Sequence, residues 1–150
     1  MAHSGEGPCV FCRIASGEAE AYIVYEDGAF LAFLDKWPVN PGHTLVIPKK
    51  HYPTIFEMPP PEVGELFERV ALIAPAVRRA TGADGLNIIQ TNGRAAWQSV
   101  FHVHVHIIPR HVGDALRLNW PHRSASPSEF EDMRNRIRGE LASGAGGSEP

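Results

Sequence analysis

The stretch His102-Val103-His104-Val105-His106-Ile107-Ile108, "HVHVHII", places three of the chain's 8 histidines two residues apart. Strict alternation with aliphatics is the pattern of a β-strand, whose successive side chains point to opposite faces. On that reading His102, His104 and His106 share one face, and Val103, Val105 and Ile107 share the other. Neighbouring histidines then stand roughly 6.5–7 Å apart along the chain. The aliphatic face needs a cover; the other face is a row of imidazoles on a rigid element. A solvated polar face explains one histidine well and a strict row of three poorly. Two chemistries fit the row. Alternating imidazoles can offer two nitrogens to one metal ion. A neutral imidazole near pH ~7 can also attack an electrophile such as phosphorus.

Working outward, Tyr22 to Asp27 and Ala29 to Asp35 read as consecutive strands joined by a tight turn at Asp27-Gly28. His43 to Pro48 is a further β-rich run, and Gly85 to Asn92 pairs with the histidine stretch through the connection Gly93 to Val100. Between these lies a long helix. Val63, Leu66, Phe67, Val70, Ile73, Ala74 and Val77 recur at helical spacing, prolines 59 to 61 mark the start and Gly82 the end. Pro75 inside it removes a hydrogen bond and is expected to bend it. A last helix is announced by the capping-box pattern Ser126-Pro127-Ser128-Glu129, with Phe130, Met133, Ile137 and Leu141 as its apolar stripe. Consecutive strands with one long helix inserted give an α+β fold: an antiparallel sheet, the long helix packed on it, and a C-terminal helix. The expected organisation is a flexible N-terminus over 1–8, a single domain over 9–142 and a disordered tail over 143–150.

With 43% hydrophobic and 21% charged residues, the 150-residue composition is that of a soluble globular domain. A net charge of −3 without a basic run argues against nucleic acid as the main partner. No apolar run approaches the ~20 residues of a membrane span. "MAHSGEGP" has no basic and then apolar leader pattern, so a cytoplasmic setting is expected. Neither G-x-x-x-x-G-K-[ST] nor G-x-G-x-x-G occurs, and no nicotinamide, flavin or phosphate-loop magnesium site is expected. The only two cysteines, Cys9 and Cys12, form a C-x-x-C. That spacing suits two thiolates on one tetrahedral zinc, and a redox pair is the rival. Phosphate chemistry without a metal at the reaction centre needs donors for developing charge. Gln98 and Ser99, just before the row, carry an amide and a hydroxyl that could serve.

Three segments together resemble the histidine triad family: "QSVFHVHVHIIPR", "PGHTLVIPKKHY" and "CVFCRIASGEAEAYIVYEDGAFLAFLD". They agree in order and spacing from about Cys9 to Arg110. The resemblance is to the bacterial-type branch that is similar to nucleoside phosphoramidate hydrolases, and it implies the histidine triad fold. It also implies roles. His104 is the nucleophile that takes a nucleoside monophosphate group at its α-phosphate, flanked by His102 and His106 and buttressed by His43. Asp35 binds the ribose hydroxyls. Phe11, Ile14, Phe33 and Leu45 wall the base, although Phe, Ile and Leu at strand spacing are usually core. Gln98 and Ser99 contact phosphate. One structural zinc per chain, held by Cys9, Cys12, His51 and His102, and a homodimer with joined sheets are implied as well. The sequence departs from the family at Thr91, where asparagine or glutamine is usual, with Asn92 beside it. A one-residue slip there changes the face presented. Trp97 stands where small residues are common. The resemblance favours cleavage of nucleoside 5'-phosphoramidates or related purine nucleoside monophosphate esters through a nucleotidyl-His104 intermediate. Dinucleoside polyphosphate hydrolysis or phosphorolysis, and a nucleotide-binding adaptor with incidental catalysis, are the alternatives.

Overall fold

The apolar runs Phe30–Leu34 (β2) and Thr44–Pro48 (β3) lie side by side within a sheet covered on both faces. Their alternate residues divide between two cores. Phe30, Ala32 and Val46 face one way, and Leu31, Phe33, Leu45 and Ile47 the other. This double burial is why both runs are apolar throughout rather than alternating. The structure, a computed structural model, describes residues 9–145; the expected flexible N-terminus, 1–8, lies outside them.

The sheet has five strands, completed by β1 (Ile23–Glu26), β4 (Gly85–Ile89) and β5 (Val105–Arg110). Its order is β1-β2-β3-β5-β4, and every neighbouring pair is antiparallel. The β1–β2 turn is closed by the Asp27 carboxylate, which accepts from the backbone N–H groups of Ala29 and Phe30, each at 2.8 Å. Between β3 and β4 runs the long helix α2 (Pro60–Thr81), continuous through Pro75. It ends at Gly82, whose φ of 67° is the left-handed cap that glycine adopts without a Cβ penalty. Leu66, Val70, Ile73 and Val77 of α2 pack on Val103, Val105 and Ile107, the aliphatic half of the histidine stretch. No helix among the described residues is long and apolar enough to cross a membrane.

Two expectations need correction. The strand through the row begins only at Val105, so His102 and His104 lie ahead of it and His106 alone is in the ladder. The pairing with β3 reaches only to Val46–Val105 and that with β4 ends at Ile89–His106; β3 runs on to Pro48 but makes no ladder pair ahead of Val105, and the N–H of Val103 goes to the Tyr52 carbonyl instead. The alternation of faces survives, because Val103 is fully buried with Val105 and Ile107. The other correction is a helix absent from the sequence reading, α1 (Val10–Ala15), which starts on Cys9 as its N-cap. It lays Phe11 and Ile14 against Leu31, Phe33, Leu45 and Ile47 on the sheet face away from α2.

The chain divides at Leu116/Arg117 into two compact units. The second is built on α3 (Pro127–Glu140), opened by the expected capping box: Ser126 Oγ accepts from the Glu129 N–H and the Glu129 carboxylate accepts from the Ser126 N–H. Phe130, Met133, Ile137 and Leu141 are exposed. Leu141–Ala145 continue as a π-helical turn, and 146–150 of the expected tail lie outside the described residues.

Candidate active site and adjoining metal cluster

The face of the sheet carrying α1 also carries the histidines. His102 is fully buried, His43 and His104 nearly so, and His106 half-buried. The rings of His104 and His106 are 5.0 Å apart and those of His43 and His106 5.1 Å. Phe11 meets His104 edge-on at 5.1 Å. Burial therefore shapes this site more than charge does.

Each ring has partners that fix where its proton sits. His104 Nδ1 lies 2.7 Å from the carbonyl oxygen of His102, so Nδ1–H donates there and Nε2 keeps a lone pair. His43 Nδ1 accepts from the Val39 N–H at 3.1 Å, so neutral His43 carries its proton on Nε2. That Nε2–H donates to His106 Nδ1 at 2.9 Å, with the Asp35 carboxylate 3.5 Å away. His106 is thereby held with its own proton on Nε2, a donor rather than a base. His102 donates Nε2–H to the Pro48 carbonyl at 2.8 Å and turns a bare Nδ1 toward α1.

Burial lowers the proton affinity of all four. It pushes His102 down to about 4 and His106 down to about 3, and it lowers His43 and His104 as well. Asp35 opposes the shift on His43 and His104, and neighbouring imidazoles add to it on the other two. At neutral pH the row is uncharged, as a nucleophile requires and a general acid does not.

His102 Nδ1 points into a second cluster. Cys9 Sγ is 3.4 Å from it, Cys12 Sγ 3.6 Å and His51 Nδ1 3.2 Å; Cys12 Sγ and His51 Nδ1 are 3.4 Å apart. One imidazole nitrogen with a single lone pair cannot hydrogen-bond three neighbours, and these four atoms converge on a common point. A tetrahedral zinc with Zn–S of about 2.3 Å and Zn–N of about 2.05 Å places S and N about 3.6 Å apart and two N about 3.3 Å apart. The observed separations match that figure, so the four residues fit such an ion. Cys9 and Cys12 are both free, half-buried thiols. Burial and the neighbouring Cys9 push the Cys12 thiol up to about 11, a shift that a bound cation would reverse. Asp35, His43 and His106 form another group of candidate ligands. They do not fit a metal, because the neutral His43 Nε2 already bears a proton.

The remaining expected residues divide. Phe11, Ile14, Phe33 and Leu45 form one buried apolar cluster beside His104. Asp35 lies at the end of β2, one oxygen accepting the Trp37 N–H and the other turned toward His43. Ser99 is exposed, with a hydroxyl free to donate. Gln98 requires a correction. It is 3% exposed, its amide donates to the Pro53 and Val100 carbonyls, and its oxygen accepts from the Gly93 N–H. Both amide hydrogens are taken, so Gln98 braces the loop and offers no donor to a phosphate. Asn92 also braces, accepting from the Ile55 N–H and exchanging hydrogen bonds with Gln90. Thr91 is half-buried between them, and Trp97 is 89% exposed at a φ of 73°, a left-handed backbone uncommon for a bulky side chain. The sequence reading missed the Val39 N–H and the carbonyls of Pro48 and His102, which set three of the four tautomers. As backbone groups they leave no mark in residue identity.

Comparison with known proteins agrees with this geometry. The HIT domain model matches residues 16–113. An Arabidopsis thaliana relative named adenylylsulfatase HINT3 is 47% identical over 74% of this chain, which spans only 56% of that relative's length. A Schizosaccharomyces pombe relative named adenosine 5'-monophosphoramidase hnt1 is 34% identical, over 89% of this chain and 98% of its own. A solved HIT-family structure from Bacillus subtilis superposes with a TM-score of 0.86 at 39% identity, covering 91% of this chain and 99% of the other. A zinc-bound histidine triad family protein from Mycobacterium smegmatis is 41% identical, with a TM-score of 0.70 over 91% of this chain and 96% of its own. With a matching domain model, full-length relatives and a buried histidine row on a five-stranded sheet, this chain belongs to the HIT-domain, or histidine triad, family.

Proposed function

We propose that the protein is a nucleotide hydrolase that cleaves nucleoside 5'-phosphoramidates, or related purine nucleoside monophosphate esters, at the α-phosphate. The observation that carries this reading is the His104 ring: Nδ1–H is held by the His102 carbonyl, so Nε2 is a bare lone pair on a buried, uncharged imidazole. Nε2 attacks phosphorus, the bond to the leaving group breaks, and a nucleotidyl-His104 intermediate forms. Water then attacks the same phosphorus, returning free His104 and a nucleoside monophosphate. His106, held as an Nε2–H donor, stabilises charge on a phosphate oxygen. Ser99, whose hydroxyl is exposed, assists. Asp35 takes the ribose hydroxyls, and the cluster of Phe11, Ile14, Phe33 and Leu45 lies beside the base.

An amine leaving group needs a proton, and burial holds all four histidines of the free row neutral. An anionic phosphate brought alongside opposes that shift and lets the row take up the proton a leaving amine needs. The same neutrality favours a second reading, the release of an anionic oxygen leaving group that needs no proton, such as sulfate. The name of the Arabidopsis relative supports it. Dinucleoside polyphosphate cleavage belongs to the same class, and an adaptor that only binds nucleotide would turn over none of these.

The metal cluster is read as a zinc site of Cys9, Cys12, His51 and His102, one per chain, that fixes α1 against the row. The zinc-bound relative supports this. We also read the protein as a cytoplasmic homodimer whose sheets join along β4, one of the sheet's two outer strands, where Ile88 is 42% exposed; light scattering in solution checks it. The test of function is a panel of leaving groups on one nucleoside monophosphate: an amine, sulfate and a second nucleotide. A denaturing quench of labelled substrate at alkaline pH, where a phosphorus–histidine bond survives, should trap one labelled histidine in the wild type and none in His104→Ala. Tight nucleotide binding with no turnover of any member would overturn the enzymatic reading.

A further inference from the structure

Cys9 and Cys12 bracket the first turn of α1, and between them stands Phe11, whose ring meets His104 at 5.1 Å and His102 at 5.9 Å. His102 belongs to both sites. Its Nδ1 faces the two sulfurs at 3.4 and 3.6 Å, and its carbonyl oxygen holds the Nδ1–H of His104 at 2.7 Å. The cluster therefore reaches the nucleophile by two short routes, the Phe11 ring and the His102 main chain. Both thiols are half-buried and His51 is exposed, so a small oxidant can reach the sulfurs from that side.

We propose that the Cys9–Cys12 pair is a thiol–disulfide modification site at which a hydroperoxide turns His104 off. The proposal rests on the zinc reading given above. In the step, one thiolate attacks the peroxide oxygen, the O–O bond breaks, and the second thiolate attacks the oxidised sulfur to form the S–S bond. Two electrons pass from the two sulfurs to the peroxide, which takes two protons from solvent and leaves as water or, for an organic peroxide, as water and an alcohol. A zinc held by Cys9, Cys12, His51 and His102 would lose both thiolate ligands and be released with its charge unchanged.

Two sulfurs on one tetrahedral ion stand about 3.8 Å apart, whereas a disulfide holds them at about 2.05 Å. Closing that gap tightens the turn in which Phe11 sits, and Phe11 lies directly on His104. Departure of the ion also exchanges the metal on His102 Nδ1, on a fully buried ring, for a hydrogen bond from the exposed His51, whose Nδ1 is 3.2 Å away. The ring and its main chain must then readjust, and the carbonyl that fixes the His104 tautomer moves with them. Once Nδ1–H loses its acceptor the proton can sit on Nε2, which removes the lone pair used in attack.

The experiment uses the full chain, zinc-loaded and reduced, treated with hydrogen peroxide well below its melting temperature. Zinc release is followed with a chromophoric chelator, the Cys9–Cys12 state by peptide mass, turnover with an adenosine phosphoramidate, and the His104 tautomer by imidazole nitrogen shifts. Disulfide formation and zinc release should rise together, turnover should fall at least about tenfold, and the His104 shifts should move to the other tautomer while near-ultraviolet dichroism persists. A dithiol with added zinc should restore all four signals. Zinc release with a disulfide but unchanged turnover and tautomer would overturn the switch alone. Sulfinic acid without a disulfide would overturn the modification. A protein that never holds zinc would overturn the metal reading and the switch with it.

Discussion

On the proposed reading His102 and His104, two residues apart, do different work, so their variants should fail differently. His104→Ala should keep its zinc and its melting temperature, still bind nucleotide and form no covalent adduct, with a large loss of rate because the two-step route is gone. His102→Ala should lose zinc and melt lower, since metal affinity is linked to folding; Cys9→Ser, Cys12→Ser and His51→Ala should share that pattern. Zinc per chain, melting temperature and turnover on the same preparations separate the two classes, and a His102→Ala protein that keeps its zinc would need another fourth ligand. Asp35 supports a second expectation. Its carboxylate is anchored by the Trp37 N–H through one oxygen, and the other, 3.5 Å from His43 Nε2, keeps a lone pair for a ribose hydroxyl. Ribonucleotides should bind better than 2'-deoxyribonucleotides by about 1–3 kcal/mol, and Asp35→Ala should erase the difference. Equal affinity in the wild type would remove the ribose role. At this scale the alternation at 102–106 made the histidine row legible. What it could not convey is which nitrogen of each ring is bare, because Val39, Pro48 and His102 decide that through backbone atoms.

The elements that hold the row are short, and their stops are set by single residues. Gly42 precedes β3 at a φ of 95°, and a Cβ there would collide with Thr81 Cγ2 at the end of α2. Gly42→Ala should therefore destabilise by about 1–3 kcal/mol, from a strained backbone and the clash together. Thr81→Ser deletes that methyl group and keeps the hydroxyl that donates to the Val77 carbonyl, so the double variant should recover part of the loss. Denaturation midpoints of the four proteins close the cycle, and no recovery would assign the whole cost to the backbone. Gln98→Ala tests the loop ahead of the row. It would strip partners from Pro53, Val100 and Gly93, costing about 1–3 kcal/mol, and should lower turnover through a looser Ser99. Unchanged stability would return Gln98 to a substrate-facing role. The sequence carried α2 well, since its stripe and its glycine stop are strong signals. It did not carry α1, because six residues give too few turns for a stripe and their cap is a cysteine. The strand through the row was read too long for a related reason: side-chain alternation reports extended backbone, whereas a ladder also requires paired backbone groups, and the pairing with β3 stops at Val105 and that with β4 at His106.

Across the molecule, the sheet order could be anticipated only as antiparallel, because which strand neighbours which depends on the path of α2. Burial on both faces was not drawn from the sequence, in which β2 and β3 read only as strands, although their unbroken apolar runs are its mark. That burial has a consequence for acid stability. His106 is pushed down to about 3 in the folded protein from an ordinary 6.5, with burial the main cause, and His43 and His104 move the same way. Between those values the unfolded chain binds protons that the folded chain refuses. Stability is therefore full above about pH 6.5 and is lost as pH falls toward the folded value, each fully shifted histidine giving a slope of up to about 1.4 kcal/mol per pH unit. The Asp114 carboxylate, held well below its ordinary range by Arg110, adds its loss only in stronger acid, near and below its ordinary 3.8. Urea midpoints should thus stay level from pH ~8 to ~6.5 and then fall steeply by pH ~5, before carboxylates titrate. His106→Asn removes one such group and should lower the slope in that interval, both in zinc-saturated protein and in protein kept metal-free with a chelator. A wild type as stable at pH ~5 as at pH ~7 would mean that the row takes up protons freely when folded, and the neutral His104 on which the attack depends would lose its basis.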